Sequence, residues 1–199
     1  MSKNSKNAPS GNDKDNITYI LDFYRHVESH AGEFEFAFAI GIFQVAGHYG
    51  TGGHTGVVLS TKTNHGYVRG LKVDFTDSGI LVSPYDWTKH AAKWTEQKDP
   101  RRDSYALWYN SISRQQMICA LAEAAYQDRN PHRYNMLGFL PGKTLGQNCA
   151  TFAVKLARYA GFNFELERII GTNALLLHNV LKLRQPLTNW KVKYRIKGS

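Results

Sequence analysis

At 199 residues the chain is long enough for one domain with a proper core, and 42% hydrophobic against 21% charged residues excludes a wholly disordered chain. A net charge of +9 points to an anionic partner: nucleic acid, a phospholipid surface or cell-wall polymer. The two cysteines, Cys119 and Cys149, exclude a disulfide framework and a paired-cysteine zinc site, and no apolar run reaches the roughly 18 residues a spanning helix needs.

Met1 to Asn16 is polar, rich in Ser, Asn, Lys, Gly and Asp, and predicts a disordered tail without the apolar stretch of a secretory signal. Cytoplasmic synthesis follows, with any export by a route not signalled at the N-terminus. Residues 17–199 then form a single domain. Ile17 to His30 predicts a short helix with Ile20, Leu21 and Tyr24 on one side. Phe34, Phe36, Phe38, Ile40 and Ile42 alternate with smaller residues, a strand pattern. Gly47 to Gly53 is glycine-rich and reads as a loop.

Thr55 to Thr61 and Tyr67 to Phe75 are β-rich runs joined by Lys62 to Gly66, a hairpin signature. Ile80 to Tyr85 reads as a further short strand, Lys89 to Gln97 as a surface helix, Asp99 to Asp103 as a charged loop and Tyr105 to Tyr109 as a strand. Ser113 to Arg129 carries Met117, Leu121 and Ala125 at helical spacing, with Pro131 beyond its end. After the Gly- and Pro-rich segment Leu137 to Gly146, Cys149 to Ala160 predicts a helix that Gly161 stops. Thr172 to Leu183 predicts a last helix. Trp190 to Lys197 alternates apolar and basic residues, a strand with one cationic face. Strands first, then helices, then a returning strand make a mixed α+β domain, an antiparallel sheet packed on helices.

Within this order Cys149 occupies the first turn of its helix, where unpaired N–H groups and the positive end of the dipole favour a thiolate. His54 opens the second strand between glycines, accessible to a neighbouring side chain. A cysteine hydrolase needs a thiolate, an imidazole within reach and a third polar group to orient the ring. With the hairpin turn centred near Asn64, the residue opposite His54 falls between Val73 and Phe75. Asp74 is the polar candidate there.

The order His-strand, cross-strand polar residue, then a helix opening Asn148-Cys149-Ala150-Thr151-Phe152 resembles the circularly permuted papain-like hydrolases. These are relatives of NlpC-type cell-wall peptidases and of lecithin–retinol acyltransferase-like enzymes. The family's His lies on a strand reading His-x-Gly-hydrophobic-hydrophobic, matched by His54-Thr55-Gly56-Val57-Val58. The resemblance covers about Phe34 to Gly161. It implies a papain-like (permuted) fold with the nucleophile Cys149 at a helix N-terminus and His54 as its base. Relatives often place a second His a short way after the first, and His65 matches that, so His65 stands as the alternative to Asp74. The resemblance also implies an oxyanion hole at the Cys149 N–H, with the Asn148 or Gln147 side chain as second donor. For Asn148 a helix N-cap is a compatible role.

The activity implied is amide hydrolysis in peptidoglycan stem peptides through a thioacyl-enzyme, without a cofactor. A lipid acyl hydrolase or acyltransferase using the same residues is the alternative. A basic chain without a signal peptide also suits a secreted antibacterial effector, for which an immunity protein would be the partner. The rival of another class is a non-catalytic binding module in which Cys149 is buried and the basic last strand docks on an anionic surface. Three signals are set aside. Gly142-Lys143-Thr144 lacks the phosphate loop's first glycine, since position 137 is Leu137. His48, His54 and His65 have no carboxylate or Cys at ligand spacing, so no metal is expected. Cys119, among Ile118, Ala120 and Leu121, reads as a buried inert thiol. Tyr134, Trp87, Trp94 and Trp108 are candidates for core packing or for lining a groove.

Overall fold

The computed structural model describes residues 15–29, 32, 34–44, 54–63, 66–85, 104–130, 132–135, 139–140, 143–144, 146–170, 173–174, 176–177, 179–181, 183 and 191–196. The residues given to the loop 47–53, the surface helix 89–97 and the charged loop 99–103 lie outside these. So do His48, His65, Trp87 and Trp94, and residues 1–14 of the expected tail.

Alternation is what builds the sheet. Strand β1 (Glu35–Gln44) sends Phe36, Phe38 and Ile40 to one face, where they join Val57 and Leu59 of β2 (His54–Thr63) and Leu71, Val73 and Phe75 of β3 (Gly66–Thr76). Strands β4 (Gly79–Tyr85) and β5 (Ser104–Ile112) continue this face with Ile80, Val82, Trp108 and Ile112. With β8 (Lys191–Ile196) the order is β4-β3-β2-β1-β5-β8, antiparallel throughout. Pro84 lacks an N–H and sits in β4, an edge strand, where the loss is tolerated. Two short strands, β6 (Phe139–Leu140) and β7 (Lys143–Thr144), pair inside the Gly- and Pro-rich segment.

Helices cover the apolar face. They are α1 (Asn16–Ser29), α2 (Arg114–Arg129) and α3 (Cys149–Tyr159); the short α4 (Glu165–Ile170) packs on α3, and residues 174–183 are helical where described. The chain is thus a mixed α+β protein, an antiparallel sheet packed against helices. No helix among the described residues is long and apolar enough to cross a membrane.

Most elements fall where the residue pattern puts them, with differences at the ends. Asn16, assigned to the tail, opens α1 instead. Its side chain accepts from Val82 N–H (2.9 Å) and donates to the Ile80 carbonyl (2.8 Å) and to Asp128 (2.7 Å). Those bonds tie the helix start to edge strand β4 and to α2. Strand β5 runs three residues past Tyr109 because its backbone pairs with β1 as far as Ile112. Helix α4 has no expectation behind it.

Candidate active site

Helix α3 begins in a fully made capping box. The Asn148 side chain accepts the Thr151 N–H at 3.0 Å, and the Thr151 hydroxyl accepts the Asn148 N–H at 2.9 Å. Just upstream, Gln147 is bridged to Tyr134: Gln147 N–H donates to the Arg133 carbonyl at 3.0 Å and Asn135 N–H to the Gln147 carbonyl at 2.9 Å. At the far end, Gly161 has φ +84° and donates to Arg158, while Phe162 N–H reaches the Ala157 carbonyl. This is a Schellman closure, and Phe162 then packs on Phe38 and Trp108. Both ends of α3 are therefore fixed, and Cys149 is its first residue.

Phe152, one turn further on, stacks on Phe75 of β3 with ring centres 5.6 Å apart and planes 20° apart, and Tyr134 stacks on Phe75 at 5.9 Å. The Cys-x-x-Phe spacing thus has a local cause: its aromatic ring locks the start of α3 against the residue next to Asp74.

On β2 and β3 the register pairs Gly56 with Asp74 and Val58 with Lys72. Asp74 is accordingly diagonal to His54, two residues off the direct pairing the hairpin suggested. The register shifts between Thr61 and Lys62, which accounts for part of that offset. The diagonal still works: His54 Nε2 lies 3.0 Å from Asp74 Oδ1. An ionised carboxylate only accepts, so Nε2 carries the hydrogen, and Nδ1 is the nitrogen left for another partner. Glycine at 56 is what permits the approach, because a Cβ there would fall on Asp74 Oδ1. The other carboxylate oxygen, Oδ2, holds Lys72 Nζ at 2.6 Å.

Cys149 stands within hydrogen-bonding reach of the same ring and acts on its proton. Burial by itself pulls the His54 pKa down. The hydrogen bonds to Asp74 and Cys149, and negative charge at both, more than reverse this and leave it at about 9. For Asp74, burial pushes up, but the hydrogen bond from His54 and the Lys72 charge hold the carboxyl below its ordinary value. Tyr134 is raised, by burial first and then by negative charge at Cys149 and Asp77.

Cys149 is only 6% exposed, whereas the His54 side chain is 36% exposed, so the ring is the accessible member of the pair. Gln147 is 6% exposed too, and its Nε2 has no hydrogen-bond partner among the described residues. Asn148, by contrast, has its side-chain oxygen committed to the cap. Against protein-family models, curated proteins and solved structures, the chain matches none.

Three residues singled out in the sequence, Cys149, His54 and Asp74, thus converge, and Gln147 and Asn148 lie directly before the sulfur. Trp108 does not join them: it is core, packed on Phe38, Phe162 and Phe164. Lys72 was missed. A lysine alternating along a strand carries no signal of its own until its partner's carboxylate is identified.

Proposed function

We propose that the chain is a cysteine hydrolase of the permuted papain-like kind, acting by acyl transfer to Cys149. The observation that carries this reading is the chain of contacts Asp74–His54–Cys149, with the sulfur on the first residue of a capped helix. Asp74 fixes the ring with Nε2–H toward its carboxylate and Nδ1 toward the thiol. His54 takes the thiol proton, and a ring with a pKa of about 9 keeps it at neutral pH. The thiolate attacks a substrate carbonyl, forming the C–S bond. The oxyanion that develops is met by the Cys149 N–H and by the Gln147 amide, whose buried Nε2 has no other acceptor among the described residues. Asn148 serves this hole as the cap that holds the helix start. His54 then gives its proton to the leaving group, and a thioacyl-enzyme remains. Water, deprotonated by the freed ring, releases the acid and restores the thiol.

The leading substrate is an amide of the peptidoglycan stem peptide, an anionic polymer suited to a chain of net charge +9. Use as an antibacterial effector, countered by an immunity protein, fits the same reading. One observation favours a lipid acyl substrate instead: Leu166, Ile169, Leu176 and Leu183 all expose large apolar side chains on neighbouring stretches of the chain. Incubation with purified sacculi and, separately, with anionic phospholipid vesicles decides between them by product mass spectrometry. Stem-peptide fragments that vanish with Cys149→Ala and His54→Ala are expected. Fatty acid alone, lost with the same variants, would reverse the order of substrates, and products undiminished in both variants would remove the mechanism.

A further inference from the structure

Asp74 serves two cations at once, and only one of them belongs to the mechanism above. Its Oδ1 holds His54 and its Oδ2 holds Lys72 at 2.6 Å. Strand alternation explains the arrangement: Lys72 and Asp74 are two apart on β3 and so share a face, opposite Val58 and Gly56 of β2. Gly56 leaves room for the carboxylate that both cations share, since a Cβ there would fall on Asp74 Oδ1. We propose that Lys72 is a positioning residue, a standing counter-charge on Asp74 that limits how strongly the carboxylate holds the His54 proton. The inference rests on the hydrolase reading for its meaning, though not for its test.

The physical argument is one of shared charge. Among the described residues, the groups acting on the ring are Asp74 from β3 and Cys149 from α3, with Lys72 across the carboxylate, and Tyr134 feels the charge at Cys149. Both anions draw a proton onto His54. A ring held by them without opposition would accept the thiol proton readily and surrender it to a leaving group slowly. The Lys72 ammonium takes part of the Asp74 charge, so it opposes over-stabilisation of the protonated ring through the carboxylate they share. It also pins the second oxygen, which stops the carboxylate rotating away from Nε2.

The test is a pH titration of the His54 ring by NMR in the full chain, the signal being assigned by its loss in His54→Gln. Lys72→Met is expected to raise the midpoint by about one pH unit, the lower end of what a nearby charge does. Lys72→Arg, which keeps the cation, is expected to leave it in place. Lys72→Gln gives a second neutral variant if the methionine disturbs folding. A midpoint that stays put or falls in a folded neutral variant overturns the proposal. No substrate enters the measurement, so its outcome is independent of whether Cys149→Ala abolishes hydrolysis.

Discussion

At the scale of single residues, Gly56 carries more than its size suggests. The His-x-Gly spacing reads as a family motif, but its local cause is steric: the glycine lies directly opposite Asp74, and any Cβ would occupy the place of the oxygen that holds His54. Gly56→Ala is therefore expected to push Asp74 off His54 while leaving the sheet paired. On the proposed mechanism, hydrolysis should fall by roughly a hundredfold, the usual consequence of displacing a catalytic group by about an ångström, with a much smaller loss of thermal stability. Steady-state rates set beside a thermal melt check this, and an alanine variant of unchanged rate would contradict it. The dyad itself was legible because a hairpin turn fixes its opposite strand to within a residue or two, which was enough to single out Asp74. Lys72 was not, since an alternating strand lysine has the pattern of any solvated face.

Among the elements, the helix carrying Cys149 was the most legible. Asn148 before it and Gly161 after it are cap residues with mechanical reasons, and both turn out to make the expected closures. The central strands were legible from Phe36, Phe38 and Ile40 and from the β-rich runs flanking Asn64. Their ends were not, because pairing with a neighbour decides where a strand stops: β5 continues to Ile112 only because β1 is there to receive it. Helix α4 has six residues, too few for a period to declare itself. Strands β6 and β7, two residues each, depend on one another rather than on any propensity of their own. Asn16 belongs with the helix for the same reason. Its bonds to β4 and α2 are long-range, and a polar residue at the end of a polar tail gives no sign of them.

For the molecule as a whole, the His54–Asp74 pair links stability to pH in a stated direction. Asp74 is held below its unfolded value of 3.8, so its contribution is present above 3.8 and lost as pH falls through the lower folded value. His54 is held at about 9 against 6.5 unfolded, so its contribution is full below 6.5 and lost as pH rises through about 9. The difference in melting temperature between the native chain and His54→Gln should thus be greatest between 3.8 and 6.5 and shrink on either side. A difference independent of pH would show that the pair is not ionised as described.

The His54–Cys149 contact in turn joins sheet and helix, because the sheet supplies the ring and the helix supplies the sulfur. The most direct measurement of their union needs no substrate: the rate at which iodoacetamide alkylates Cys149 at neutral pH, followed by peptide mass spectrometry, in the native chain and in His54→Ala. Removal of the ring is expected to slow alkylation of Cys149 at least about tenfold, below the usual range for losing a general base, and to leave Cys119 unchanged. Equal rates at Cys149 in the two proteins would mean that the sulfur and the imidazole, though neighbours, do not act together.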